Sequence, residues 1–549
     1  METITELFLS ATERFKYEVS LQIASLEKKE AIFYFQVREN TEKIIYELSK
    51  WNIKKGEHLA ILSENRPEWI YAYFAILGIG GVVVGIDINL RPQEILFILK
   101  HAQIKTIFVS RLSISNLLEI KNQSFLERII CFDEIKEEGI FSLPDFLRKN
   151  HRPFTYPGIS PDDLAMLVYT SGTTGNPKAV MLTHKNITSN LRMIHRIFKW
   201  DTRDNFLSLL PLSHMFELTC GMLAPFSSGA KITYINSLKP EVILKTMQKT
   251  KITYVMVVPA ILRLLRMEIL KQIKHSSLRR KIVFYFFFGL CAVLRTFNIN
   301  LGKIFFRRIH RLLGKSLKFF VSGGAPLSPF IIWWFEVLGI KVLQGYGLTE
   351  ASPVVAVNTP QQNRLGSVGK PLPGIEVKIK DDLKEGEILV KGENVMVGYY
   401  KSPEETSLVL RDNWLYTGDI GTLDSHGFLF ILGREKNVIV LQSGLKVYPE
   451  EIEEELLKSS LIRDVCIIGK KESGFPEEKV YALIVPNDEH LGLSLDKDSE
   501  KIRGLMEKEI KNLNERLAAY KHIRGFELRK ELPKTATRKI KKELVKKTL

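Results

Sequence analysis

The chain is 549 residues long and carries 79 Lys and Arg against 62 Asp and Glu, a formal net charge of +17. Its 45% hydrophobic and 26% charged residues match an ordinary globular protein, excluding global disorder and a collagen-like repeat; the length allows one large multi-lobed domain or several smaller ones. Cys131, Cys220, Cys291 and Cys466 lie far apart in apolar contexts without a CxxC or Cys/His ligand spacing, so a disulfide scaffold is excluded and buried free thiols are expected.

The N-terminus, METITELFLSATERF, has acidic residues near its start and no basic segment leading into an apolar run, so it does not read as a secretory signal and a cytoplasmic chain is expected. Residues 12–50 read as a short strand pair followed by a helix. Apolar strands and amphipathic helices then alternate: HLAILSE, RPEWIYAYFAILGIGG, VVVGIDI, PQEILFILKHAQ and KTIFVS. Such alternation predicts an α/β fold on a parallel sheet. The helix VILKTMQKTK precedes the strand ITYVMVV, and LKFFVSG and KVLQGYG read as strands running into loops. Beyond about residue 375 the pattern changes to short strands and turns, and a last α+β unit follows, with a boundary expected near Gly433–Lys436. There is no internal repeat and no low-complexity tract.

The positive charge is concentrated in two places. Residues 269–335 hold twelve Lys and Arg and no Asp or Glu, and residues 501–549 hold sixteen against six acidic residues. The first segment contains IVFYFFFGLCAVL (282–294), flanked by Arg279, Arg280, Lys281 and Arg295 and too short to span a bilayer. LGKIFFRRIHRLLGK follows, with apolar residues at near-helical spacing among basic ones. Two readings stand: peripheral contact with an anionic membrane through 279–312, or a pair of core helices with solvated basic ends. Nucleic-acid binding does not fit, because aromatics inside an apolar run are badly placed to stack on bases.

The densest chemical signal is LAMLVYTSGTTGNPKAVMLTH, residues 164–184. An apolar strand runs into Thr170, Ser171, Gly172, Thr173, Thr174 and Gly175, and a second strand starts near Ala179. Two glycines and four hydroxyls make a loop whose N–H and O–H donors suit an anion, with Lys178 adding positive charge. It is not a Walker A loop, because the G-K-[ST] ending and following helix are missing.

This segment resembles the phosphate-binding signature of the adenylate-forming superfamily. Further signatures of that superfamily follow in order: LPLSHMFE (210–217), VSGGAPLS (321–328), QGYGLTEAS (344–352), WLYTGDIG (414–421), GREKNVIVLQSGLKVYPEEIE (433–453) and LPKTATRK (532–539). The resemblance implies a large N-terminal domain over 1–433, of parallel-rich sheets with helices and a small β-barrel-like part. A small mobile α+β domain would follow over 434–549. It also implies a two-step reaction using ATP and Mg2+, in which a carboxylate becomes an acyl-adenylate and a thiol then takes the acyl group.

The same resemblance implies residue roles. The loop 170–178 holds the phosphates that leave as pyrophosphate, and Thr170 and Glu350 reach the magnesium, a hard cation that prefers oxygen ligands. Tyr346, flanked by Gly345 and Gly347 and followed by Leu348 and Thr349, matches the ring that stacks on adenine, and Gly324, Ala325 and Pro326 match the adenine-side loop. Asp419 and Arg434 match the ribose ligands. Lys539 matches the lysine that supports adenylation by meeting charge built up at the α-phosphate and carboxylate. Lys436 matches the hinge of the small domain. Ser443, Gly444 and Lys446 fall in the part that lines the thiol tunnel, and His214 matches the histidine near the acyl carboxylate. Taken alone, GGAP and TGD read as turns, a lysine in a basic tail as solvated and a single histidine as structural. Two departures stand out: Arg538 replaces the usual glycine beside Lys539, and Lys446 replaces the usual asparagine.

LPLSHMFE and the basic-hydrophobic stretch 261–320 are similar to the long-chain acyl-CoA synthetases within the superfamily. The function implied is ligation of a long-chain fatty acid to coenzyme A. The alternatives are acyl carrier protein as the thiol, a shorter or aromatic acid, and a non-catalytic fatty-acid-uptake relative. Chain-length preference, oligomeric state and pathway are not fixed by the sequence.

Overall fold

The computed structural model describes residues 2–24, 29–170, 177–297, 299–441, 445–471, 478–534 and 540–547. The loop residues Ser171–Gly175, Ser443 and Gly444 of the thiol-tunnel segment, and Arg538 and Lys539 lie outside them.

Two large sheets carry the first part of the chain. In the eight-stranded sheet, Gly398–Tyr399, Lys178–Thr183, Leu164–Thr170, Val82–Ile86, His58–Leu62, Thr106–Val109, Arg128–Cys131 and Ile140–Ser142 lie side by side. Its neighbours from Leu164–Thr170 onward are parallel, as the alternating pattern predicts, with helices such as Pro67–Gly78 and Pro92–His101 carrying the chain back between strands; only Arg128–Cys131 and Ile140–Ser142 are joined without a helix. The strand Lys178–Thr183 instead returns directly from the loop and pairs antiparallel with Leu164–Thr170. The nine-stranded sheet has Val19–Ala24 and Lys29–Phe33 at one edge and Lys341–Gly347, Val354–Val357 and Lys370–Pro371 at the other. In between run Lys231–Tyr234, Asn205–Ser208, Tyr254–Val257 and Phe319–Ser322, all parallel.

The helix Pro67–Gly78 is buried at every residue but Glu68, so its sequence is apolar all round rather than striped. Ile4–Arg14, a capped helix that the sequence reading left without an element, packs its buried Phe8 on Phe74 with ring centroids 4.4 Å apart. A five-stranded antiparallel sheet follows, in which Trp414–Leu423 pairs with both Gly386–Lys391 and Leu429–Arg434. Beyond it, Ile462–Lys471, Glu478–Pro486 and Gly525–Leu528 form a three-stranded sheet. Its apolar side chains cluster with those of Pro449–Leu456 and Ser499–Asn514, separately from the large core.

All four cysteines are free and buried, as expected. The apolar run 282–294 lies in one helix, Leu278–Thr296, and the stretch after it forms two short helices, Gly302–Phe305 and Arg307–Leu312. Among the described residues no helix is long and apolar enough to cross a membrane.

Candidate active site

The carboxyl ends of parallel strands collect chemistry because loops leave there with free backbone groups. The strand Leu164–Thr170 delivers Thr170 to that end, and Lys178 stands opposite it as its register partner. The two residues thus fix both ends of the loop 171–176. Lys178 Nζ lies 2.8 Å from Glu405 Oε1 and 5.2 Å from the Tyr399 ring centroid.

The neighbouring strand Val82–Ile86 ends in Asp87, a buried residue the sequence reading did not single out. Its Oδ2 is 3.1 Å from His214 Nε2, while its Oδ1 accepts from the backbone N–H and side-chain amide of Asn89, both at 2.8 Å. Burial acts to raise the Asp87 carboxyl, but the bonds from His214 and Asn89 outweigh it and hold it below the ordinary 3.8. His214 comes from the other large sheet, on the loop leaving Asn205–Ser208, so this contact joins the two sheets. Gly85 makes the approach feasible: a Cβ there would lie 3.1 Å from the Ser213 Cα.

The loop 208–214 is held from below by a second network. Asn65 donates to Ser208 Oγ (2.9 Å) and to the Leu210 carbonyl (2.6 Å), and accepts from the Leu212 N–H (2.9 Å). Ser208 in turn donates to Glu217 Oε1 at 2.6 Å. Glu217 is fully buried at the head of a π-helical turn, Glu217–Leu223, and burial pushes its carboxyl up to about 8.

The residues expected to meet adenine and ribose lie on paired strands and the loop beside them. Gly345, Tyr346 and Gly347 end the strand Lys341–Gly347; Gly324, Ala325 and Pro326 lie between the neighbouring strand Phe319–Ser322 and the helix Pro329–Val337. Gly347 has no room for a side chain, since a Cβ there would sit 1.9 Å from the Pro353 carbonyl oxygen, which accepts from the Leu348 N–H at 3.0 Å. Asp419 and Arg434 are direct register partners across Trp414–Leu423 and Leu429–Arg434. Tyr346 donates its hydroxyl to Asp419 Oδ2 at 2.8 Å, and Arg434 Nε donates to Oδ1 at 2.9 Å. Asp419 is buried, with each oxygen anchored once and a lone pair on each left to accept a further donor. The Arg434 guanidinium is raised by the adjacent Asp419 charge, and the Tyr346 hydroxyl is raised well above its ordinary value by burial and then by that charge.

Glu350 lies in the short turn Thr349–Ala351, and its Oε1 accepts from the Tyr399 hydroxyl at 2.9 Å. Burial and then the Glu350 charge raise the Tyr399 hydroxyl. Tyr399 pairs with Val180 beside the loop-bearing hairpin, so Glu350 is brought to the side of the sheet where Thr170 ends. A carboxylate and a hydroxyl are hard oxygen donors and suit a magnesium ion.

Lys436 sits in the turn Glu435–Asn437 immediately after Arg434, and Lys446 is exposed in the two-residue strand Lys446–Val447. Lys534 and Ile540 form an isolated antiparallel bridge. Just beyond it, Lys542 Nζ lies 3.0 Å from Glu450 Oε1 and 2.9 Å from Glu453 Oε1. Lys541 Nζ reaches Glu94 of the helix Pro92–His101 at 3.7 Å. Burial acts to lower the Lys542 ammonium, but Glu453 and Glu450 outweigh it and hold it charged.

The pattern of AMP-binding enzymes matches residues 15–400, and that of the AMP-binding enzyme C-terminal domain matches residues 451–539. The chain belongs to the AMP-binding enzyme family. Among relatives, it is 30% identical over 527 residues to a long-chain-fatty-acid–CoA ligase of Bacillus subtilis, covering 89% of this chain and 85% of that one. It is 31% identical to mouse long-chain-fatty-acid–CoA ligase 6, covering 83% and 69%. To a chloroplastic long-chain-fatty-acid–acyl-carrier-protein ligase of Arabidopsis thaliana it is 28% identical, covering 89% and 77%. In fold it matches an anthranilate–CoA ligase bound to anthranoyl-AMP with a TM-score of 0.81 at 22% identity, over 100% of this chain and 97% of that one.

Asp87, Asn65, Tyr399 and Lys542 were missed by the sequence reading. Only Asp87 carried a usable signal, being an acid immediately after a wholly apolar strand of a parallel sheet.

Proposed function

We propose that this AMP-binding enzyme is an ATP-dependent acid–thiol ligase for long-chain fatty acids, with coenzyme A as the thiol, acting in the cytoplasm. The observation that carries the nucleotide half of this reading is Asp419, buried and fixed between Tyr346 and Arg434 with lone pairs free for ribose hydroxyls. The long-chain acid and the thiol rest on the curated relatives.

In the proposed reaction the fatty-acid carboxylate oxygen attacks the α-phosphorus, the bond to the β-phosphate bridging oxygen breaks, and pyrophosphate leaves. The thiol sulfur then attacks the acyl carbon, AMP departs, and the thiol proton goes to solvent. The loop 170–178 with Lys178 receives the departing phosphates, and Tyr346 packs on the adenine between Gly345–Gly347 and Gly324–Pro326. Thr170 and Glu350 would hold a magnesium ion, which would neutralise charge at the phosphates. His214, kept in place by Asp87, lies at the carboxylate end of the acyl site. Lys539 brings positive charge to the α-phosphate. We place a domain boundary at 433/434, with Lys436 as the hinge on which 434–549 turns to bring Ser443, Gly444 and Lys446 to the thiol path.

Pyrophosphate release from ATP, magnesium and palmitate, measured with coenzyme A, with acyl carrier protein and with neither, tests the reading. Sustained turnover is expected with coenzyme A alone. Lys539→Ala should lose adenylation by about 100-fold or more, as removal of one transition-state charge partner does elsewhere; an unchanged rate refutes its role. Carrier-dependent turnover supports the second reading, an acyl–acyl-carrier-protein ligase, which the excess of sixteen cations over six acids in 501–549 favours for an acidic carrier. A fatty-acid-uptake protein without catalysis would release no pyrophosphate in any arm.

A further inference from the structure

We propose that the helix Leu278–Thr296, with the short helices Gly302–Phe305 and Arg307–Leu312, seats on the surface of an anionic lipid bilayer. The helix has nineteen residues, and only Cys291 is buried. Its inner side is fixed: Phe288 packs on Trp333 and Trp334, Phe284 on Phe306, and Arg295 pairs with Glu336. The rest of the helix is thus a rigid apolar face without a cover. Ile282, Phe286, Leu290, Val293 and the C-cap residue Phe297 recur at three- and four-residue spacing and form one stripe about 22 Å long. Phe286 is 66% exposed and Phe297 72%. Ile304 and Phe305 extend the stripe, with Phe305 stacked on Phe287 at 4.3 Å.

The charges around the stripe decide what covers it. Arg279, Arg280 and Lys281 occupy the first turn of the helix, where the backbone dipole disfavours cations, and no acidic residue offsets them within 269–335. None of these three, nor Lys303, Arg307 and Arg308, is in an ion pair among the described residues. A second copy of this chain is a poor occupant, because a two-fold contact over this face brings the cations of both copies into one interface with no acidic residue of 269–335 to offset them. A water-soluble acidic partner satisfies the cations and leaves exposed Phe and Ile unexplained. An anionic bilayer satisfies both, taking the aromatic stripe into the acyl boundary and the cations onto its headgroups. The helix has neither the length nor the apolar uniformity to cross the bilayer, so it lies in its plane. The inference does not depend on which acid or thiol the enzyme uses.

Flotation of the full-length protein with vesicles of phosphatidylcholine alone, or mixed with phosphatidylglycerol, tests it. The wild type is expected to float with the mixed vesicles and to stay down with neutral ones. Ile282→Ser/Phe286→Ser/Val293→Ser should lower partitioning by about tenfold or more through lost apolar burial. Arg279→Gln/Arg280→Gln/Lys281→Gln should lower it by about ten- to a hundredfold, with the difference shrinking in high salt. All six side chains project from a helix surface, and unchanged melting curves verify that both variants fold. Failure of the wild type to float on either vesicle overturns the proposal, as does equal flotation on both or full flotation of the serine variant. A concentration-dependent dimer abolished by the same serines would instead make the second copy the occupant.

Discussion

The corner of Tyr346, Asp419 and Arg434, proposed to hold the nucleotide, and the basic helix Leu278–Thr296 draw on the same residue types, aromatic rings and cations, and put them to opposite uses. At the corner, Tyr346 and Arg434 come from strands of two different sheets and meet on one buried carboxylate, Asp419, which fixes both. On the helix, Tyr285 and Phe286 are exposed and Arg279, Arg280 and Lys281 face no acid of their own segment. Substrate recognition needs donors held to within a fraction of an ångström, so each side chain is tied to a partner before the ligand arrives. Adhesion to a surface needs area and charge and leaves the side chains unpaired. The difference between the two regions is therefore one of pre-organisation.

Four substitutions break or sharpen that contrast. Asp419→Ala removes the common partner of Tyr346 and Arg434; the KM for ATP in pyrophosphate exchange should rise by about 10- to 100-fold, the loss of hydrogen bonds to a charged group. Glu217→Gln tests whether the corner's rigidity reaches back to the support of the 208–214 loop. The folded state holds the Glu217 carboxyl at about 8 against an ordinary 4.5, so it keeps a proton that the unfolded chain releases. Wild-type stability is therefore fully present below pH 4.5 and falls as pH rises toward about 8. Thermal melts should show the variant gaining on the wild type between pH 5 and 8, by about 3 kcal/mol; parallel curves refute the buried acid. Tyr346→Phe keeps the ring and loses one neutral-donor bond, so the KM for ATP should rise only about two- to tenfold. Phe286→Ser on the helix should change neither KM nor kcat with a soluble acid and should move stability by no more than about 0.5 kcal/mol. A large loss of stability there would mean that the stripe is part of the core.

Readability from sequence followed the range of the contact. The hairpin around 170–178 and the Asp419–Arg434 pair sit within short stretches whose glycines, hydroxyls and flanking strands mark them, and the structure places them on adjoining strands. Resemblance then supplied the order of the remaining signatures. The helix Ile4–Arg14 opens on a capping box between Thr3 and Glu6, a local start signal that the absence of a targeting pattern does not report. The apolar run 282–294 allowed a core helix and a surface helix equally, since periodicity reports an apolar face without saying what lies against it.

By itself the sequence determined most of the strands and helices after the opening segment, the hairpin around 170–178 and where the positive charge is concentrated, because each of these is set by local pattern. Only the tertiary structure decided that Asp87 bonds His214, that Asn65 and Ser208 support the same loop over Glu217, that Tyr399 reaches Glu350, and that Lys542 pairs with Glu450 and Glu453. Asp87 and His214, 127 residues apart, are joined through the order of strands within two sheets. Strand order follows from which apolar faces pack together, a property of the whole chain that no local window of residues carries.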